Sequence, residues 1–334
     1  MIITRTPFRM SFFGGGTDIK SFYEEYGGAV LSTTFDKYCY VNVRHLPRFF
    51  DYRILLTYSD NEQVSDVNDI EHPLIRNVMK YLDMRDIRMF YDADLPARTG
   101  LGTSSSFAVG LLNAFYSLKG KRADNRRLAD DAIYVERVLC NEAGGIQDQI
   151  AAAYGGFNRI DMDSKGYVVS PVIMSNERKK ELNENLMLFF TGFTRFSADV
   201  QKNTKKGMAN KIQQLLEMKR LVDEAEDILT SKISLDEFGL LLDYTWKLKR
   251  GLASGISTSA IDDLYAEAKK AGALGGKLLG AGGGGFLLFY VDKEKQKSFK
   301  EHMNKMLYVP FCFEDYGSRV VYYKAEDYEL EQCN

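Results

Sequence analysis

Glycine interrupts this chain in three runs far apart in sequence: residues 14–16 (GGG), 100–106 (GLGTSSS) and 280–285 (GAGGGG). Glycine loses more backbone freedom on folding than any other residue. Runs of it are therefore kept where a chain must turn tightly or let a ligand approach its backbone. The middle run is the most informative. Gly100, Leu101, Gly102, Thr103, Ser104, Ser105 and Ser106 lead into an apolar stretch with Phe107, Leu111, Phe115 and Leu118 on one helical face. The neighbours of that face are also mostly apolar, which predicts a deeply buried helix. Glycines let successive amides converge, and a helix start carries partial positive charge, so this segment suits an anion. Hydroxyls from Thr103 to Ser106 can donate to phosphate or complete a Mg2+ shell. A serine cap after a flexible loop is the simpler alternative.

The third run contains GxGxxG, but a dinucleotide fingerprint must follow a strand and open a helix. Here a helix is expected before the loop, and Phe286-Leu-Leu-Phe-Tyr290 continues as a strand. Gly276-Lys277 is followed by Leu278, so there is no GxxxxGK[ST] and a Walker-type ATPase is excluded.

At 334 residues the chain has room for two domains. Its 45% apolar and 27% charged residues exclude a disordered chain, a collagen-like fibre and a bilayer-embedded protein. Lys plus Arg total 44 against 46 for Asp plus Glu, so no nucleic-acid footprint is expected, although a local basic pocket stays open. Cys39, Cys140, Cys312 and Cys333 are scattered without zinc-like spacing, which points to reduced thiols and a cytoplasmic location. The first residues lack an apolar signal core, and the charge-free stretch 99–118 is too rich in Gly, Ser, Thr and Asn for a membrane span. His45, His72 and His302 have no helical i, i+4 partner and read as structural or surface residues.

Strand-like runs at 38–43, 53–58 and 157–160 alternate with helical patterns in the first half. Residues 125–139 place Leu128, Ala132, Val135 and Leu139 on one face, with Asp124 as a cap. A polar stretch at 175–184 precedes the strand 186–190, which puts a boundary near residue 180 and gives parts 1–180 and 181–334. Beyond it, Met208, Ile212, Leu215, Val222, Ala225 and Leu229 make an amphipathic face. Ser234-Leu-Asp-Glu237 reads as a capping box, and Gly272 closes a helix over 261–271. Strands at 285–291 and 318–323 flank a polar helix. The interleaving predicts an α+β sandwich. Two acids sit next to these patterns: Glu136, beside the apolar stripe, and Asp148, in the first turn of a short helix.

In order, Pro7-Phe-Arg9 through Phe13-Gly-Gly-Gly-Thr-Asp18, Pro96-x3-Gly100-Leu-Gly-Thr-Ser104-Ser, and Lys277-Leu-Leu-Gly280-Ala-Gly-Gly-Gly-Gly285 resemble the motifs of the GHMP small-molecule kinases. That family includes galactokinase, homoserine kinase, mevalonate kinase and phosphomevalonate kinase. The resemblance covers nearly the whole chain. It implies a two-domain α+β fold with a ribosomal S5 domain 2-like N-terminal half and a ferredoxin-like C-terminal half. It also implies ATP and Mg2+ as cofactors. Gly100 to Ser106 match the nucleotide phosphate loop, Ser104 and Glu136 the metal ligands, and Asp148 the aspartate set against the substrate hydroxyl. Arg9 matches the basic residue of the first motif and Asp18 a substrate-contacting aspartate. Lys277, Gly282 and Gly283 belong to the third motif, which shapes the substrate pocket.

Galactokinase-like members carry Glu-His where this chain has Gly15-Gly16, which argues against galactose. The pattern Phe13-Gly-Gly-Gly-Thr-Asp18-x-x-x-Phe22, with Ser254-Gly-Ile-Ser257, is most similar to the heptose kinases. That likeness implies phosphorylation of the anomeric hydroxyl of D-glycero-D-manno-heptose 7-phosphate, for bacterial surface glycans. A phosphorylated substrate needs cations at the far end of its pocket, and Arg195 and Lys277 are the candidates. The alternatives are a 1-kinase for an unphosphorylated sugar such as L-fucose and a non-catalytic sugar-binding regulator. Expected partners are a small sugar or sugar phosphate and, as an option, a second copy of the chain; no nucleic acid or membrane is expected.

Overall fold

The structure is a computed structural model that describes residues 1–97, 99–192, 211–253 and 255–325. Arg195, Met208, Ser254 and Cys333 lie outside the described residues.

Two long strands, β1 (Ile2–Phe13) and β2 (Gly28–His45), pair antiparallel as the spine of a nine-stranded sheet. β1 is bulged between Pro7 and Phe8 and again between Ser11 and Phe13. Proline has no N–H for the ladder, so a strand that carries one bends at that point. β3 (Ile54–Thr57), β4 (Asn61–Val64) and β5 (Ile87–Ala93) extend one flank: β5 joins the 39–45 part of β2, and β3 runs parallel to β5. β6 (Phe157–Asp163) joins the 28–33 part of β2, with β7 (Gly166–Pro171) beyond it.

A second sheet starts at β8 (Leu186–Phe190), a few residues past the boundary expected near 180. With β9 (Gly275–Leu278), β10 (Phe286–Tyr290) and β11 (Leu307–Val309) it has the order β11-β8-β10-β9. The chain then crosses back. β12 (Phe313–Glu314) pairs with β2 and β13 (Arg319–Tyr323) with β1, so the last two strands of the 181–334 part belong to the first sheet.

The helix Thr103–Leu118 is buried on nearly every side, as its apolar composition predicts, and it opens four residues before Phe107. It packs with Val41, Val43, Ile87 and Met89 of the sheet. A second core joins the two sheets: Phe12 stacks on Phe157 at 5.3 Å and meets Phe238 edge-on at 5.4 Å. Full burial of a side chain of this size contributes about 1.5–3 kcal/mol.

Three local expectations need correction. The helix over 125–139 is α-helical only through Asn125–Tyr134, capped by Asp124 on the Arg127 N–H, and continues as a π-turn over Val135–Leu139. The wider turn slips the register, so Leu139 is exposed and Glu136 takes the inward position. Ser234 is not the N-cap: the helix is Asp236–Leu252 with Leu235 at the cap position, and the Ser234 hydroxyl accepts from the N–H of Asp236, not Glu237. Finally, a strand and not a helix enters the 280–285 loop. The loop still leads into a strand, so the dinucleotide motif fails for the second of its two reasons only.

Candidate active site

The Thr103–Leu118 helix starts from Gly102 in the left-handed region, at φ +74°, with no side-chain cap. The first amides of a helix have no intrahelical partner. The serine hydroxyls do not cover them. Ser106 Oγ donates to the Pro7 carbonyl at 2.9 Å, while Ser104 and Ser105 donate to the Glu136 carboxylate at 3.1 and 2.7 Å. The serine-cap alternative is therefore set aside, and the helix start presents open N–H groups to an anion.

This loop is held from two sides. The Arg9 N–H donates to the Leu101 carbonyl at 3.1 Å, and Arg9 Nη1 donates to the Gly100 carbonyl at 2.7 Å. On the other side lies the 280–285 loop, backbone against backbone. A Cβ on Gly280 would stand 2.2 Å from Gly100 Cα, and one on Gly285 would stand 2.1 Å from the Thr99 carbonyl oxygen. Two of the three glycine runs are thus glycine because they touch each other.

Glu136 is buried, and its carboxylate also accepts from Gln149 Nε2. Among the described residues no basic side chain pairs with it. A buried carboxylate with hydroxyl neighbours and no cation is a hard-oxygen donor set of the kind Mg2+ takes. The exposed Ser104 and the Glu136 carboxylate fit that ion.

Arg9 and Asp148 meet through two parallel bonds, Nε to Oδ1 at 2.7 Å and Nη2 to Oδ2 at 2.8 Å. The bidentate fork fixes the carboxylate plane. Asp148 sits in the first turn of the helix Gln147–Tyr154. Together with Gly15, Gly16 and Asp18 the pair lines one pocket. Asp18 accepts from the Gly16 and Gln147 N–H groups at 2.9 and 3.4 Å, and burial followed by the nearby Asp148 charge pushes its pKa up. Ile19, Leu252 and Ile256 supply an apolar wall. Ser11 Oγ and Gln147 Oε1, also in the lining, are buried without a hydrogen-bond partner among the described residues. Such orphans are costly unless a ligand satisfies them.

The structure brings Arg9, Gly15, Gly16, Asp18 and Asp148 into one pocket and sets Ser104 against Glu136. It places Lys277 elsewhere: the side chain is buried on β9 and its Nζ donates to the Phe12 carbonyl at 2.6 Å, behind the pocket. Gly282 and Gly283 pack on the backbone of Ile256, and the loop contributes Gly280 and Ala281 to the lining instead. Sequence reasoning missed Ser11, Gln147, Arg137 and Lys249. Lys249 did carry a signal, since it falls on the apolar stripe Phe238, Leu242, Trp246, Leu252 of its helix.

Lys249 Nζ donates to the Gly280 carbonyl. Burial, then the Arg9 charge, lower its pKa to about 8. That value lies below the unfolded one, so the folded state is penalised most below pH 8, and the penalty fades as pH rises toward the unfolded pKa. Lys249→Met removes the penalty. Its stability relative to wild type is expected to decline between pH 7 and pH 9.5 in urea melts; a pH-independent difference would show that burial does not lower the Lys249 pKa.

An uncapped helix start with open amides, an acid–hydroxyl pair fit for Mg2+ and a clamped aspartate over a polar pocket are the arrangement of a phosphotransferase for small molecules. Comparison with known proteins gives the same class. Residues 72–156 match the GHMP kinases N terminal domain and residues 220–309 the GHMP kinases C terminal model, together just over half of the chain. The chain belongs to the GHMP kinase family and is a sugar kinase that uses ATP. It is 29% identical to the D-glycero-alpha-D-manno-heptose 7-phosphate kinase of Campylobacter jejuni, over 91% of this chain and 93% of that one. It is 27% identical to the mevalonate kinase of Pyrococcus abyssi, over 68% of this chain and 66% of that one. A D-glycero-D-manno-heptose 1-phosphate kinase structure from Bacteriodes thetaiotaomicron superposes with a TM-score of 0.79 at 25% identity, covering 97% of this chain and 100% of that one. Among the described residues no helix is long and apolar enough to cross a membrane.

Proposed function

We propose that this kinase transfers the γ-phosphoryl group of ATP to the anomeric hydroxyl of D-glycero-D-manno-heptose 7-phosphate, giving the 1,7-bisphosphate for bacterial surface-glycan precursors in the cytoplasm. The observation that carries the reading is the composition of the pocket: three cations, Arg9, Arg137 and Lys249, face two carboxylates, Asp18 and Asp148. Such a balance favours an anionic acceptor over a neutral one. The likeness to the Campylobacter jejuni enzyme over nearly the full length of both chains supports the sugar.

In this reading Asp148 accepts the proton of the sugar hydroxyl. Both of its oxygens keep a lone pair free of Arg9, since a carboxylate offers about four acceptor sites. The hydroxyl oxygen bonds to the γ-phosphorus, the bond from that phosphorus to the bridging oxygen breaks, and ADP leaves with the electron pair. Amides at the start of the Thr103–Leu118 helix hold the phosphates, and Arg9 keeps Asp148 in register with the Gly100 loop. Ser104 and Glu136 would hold Mg2+, which would neutralise nucleotide phosphate charge. Ser11 and Gln147 find their missing partners in sugar hydroxyls.

The test is an ATP-consumption screen with Mg2+ over heptose 7-phosphate, free heptose, L-fucose and mevalonate. Strong turnover of heptose 7-phosphate, with the new phosphate at C1 by 31P NMR, is expected. Turnover of free sugars alone would keep the kinase and overturn the substrate. Silence throughout would favour a sugar-binding regulator.

A further inference from the structure

Glu136 and Arg137 are neighbours on the π-turn, yet they serve different places. Glu136 faces the hydroxyls of Ser104 and Ser105, while Arg137 lines the sugar pocket. Single π-turns inside helices concentrate at functional sites because they set adjacent residues at angles an α-helix does not offer. Arg137 Nε donates to the Gly145 carbonyl at 3.1 Å and Nη1 to the Glu142 and Ala143 carbonyls at 3.4 and 3.5 Å. These bonds go to neutral backbone. Among the described residues no carboxylate lies within ion-pair distance of Arg137, and Glu142 feels its charge from farther off. A Cβ on Gly144 would meet Arg137 Nη2 at 3.0 Å, so glycine keeps the fork uncrowded, and its Nη2 side makes no hydrogen bond among the described residues and is left uncovered.

The position of Arg137 in the pocket matters. Lys249 is tied to Gly280, next to the nucleotide loop, and feels the charges of Arg9, Asp18 and Asp148. Arg137 is tied instead to the 142–145 segment. The reacting hydroxyl belongs at Asp148, and a phosphate already on the sugar sits at the opposite end of the molecule.

We propose that Arg137 is the specificity-determining residue that receives the phosphate ester the substrate brings with it, through the uncovered side of its guanidinium; this rests on the reading of a phosphorylated sugar as substrate. A planar fork pre-set by backbone carbonyls suits a phosphate better than a lysine does. Arg137 thus takes the place expected for Lys277, which the fold buries out of reach.

The test compares kcat and KM of wild type, Arg137→Met and Arg137→Lys on heptose 7-phosphate and on unphosphorylated heptose, with KM for ATP alongside. Arg137→Met is expected to raise KM for heptose 7-phosphate about 10- to 100-fold. Its kcat/KM for free heptose and KM for ATP should stay within about twofold of wild type, and Arg137→Lys should recover part of the loss. Should Arg137→Met fail to fold, the ratio of the two sugars is read in Arg137→Lys, where it must still fall. A wild-type enzyme without preference for the phosphorylated sugar overturns the proposed substrate and this inference with it. A wild-type preference that survives in both variants overturns Arg137 alone.

Discussion

Asp148→Asn is expected to cut kcat by about 10²- to 10⁴-fold, the usual contribution of a positioned base. The amide keeps the shape of the carboxylate but cannot take a proton, and its NH2 would face the Arg9 fork that now makes bonds of 2.7 and 2.8 Å. Arg9 is almost fully buried, so losing its partner also costs stability, about 3–5 kcal/mol where a buried pair is broken outright. ATP affinity should stay near wild type, because the amides of the phosphate loop are untouched. Single-turnover kinetics with an ATP titration separate these effects. Near-normal turnover would remove Asp148 from the chemistry.

The second large effect is expected at Gly280. Gly280→Ala places a Cβ 2.2 Å from Gly100 Cα at a residue with φ +77°, and neither backbone can step aside without moving the phosphate loop. A loss of about 2–4 kcal/mol is expected from strain plus collision, with ATP affinity falling at least ~10-fold. Gly120→Ala is the matched comparison: φ is +67° but nothing lies within 4 Å of its Cβ. That change should cost about 1–2 kcal/mol and leave ATP binding alone. Equal behaviour of the two variants in thermal melts and ATP titrations would show that the loop contact is unimportant.

The loop and helix proposed for the nucleotide end were legible as structure because their pattern is local. A glycine-serine run entering a buried helix announces an anion site whatever lies around it, and the helix is where it was expected, only four residues longer at its start. The two acids, Glu136 and Asp148, were singled out only through the family resemblance. The substrate end was less legible, because its members come from distant elements and no local pattern links them. Lys277 looked available in sequence, but it lies on a four-residue strand buried at every position. Arg137 was hidden for another reason: the π-turn shifts the phase of its helix, so a 3.6-residue stripe points to Leu139 where the fold turns Glu136 inward. The return of β12 and β13 to the first sheet had no sequence signal either, since pairing partners 278 to 321 residues apart leave no local trace.

That return has a consequence for the order of events as the chain is made. β1 is made well before β13, and Ile2 finds its outer neighbour Tyr323 only after all the chain between them has been synthesised. Domains generally condense as they emerge, yet this one must hold an open strand edge until β13 has been made. The long wait makes β1 the segment most exposed to mispairing between nascent chains, and a natural place for a chaperone to stand guard.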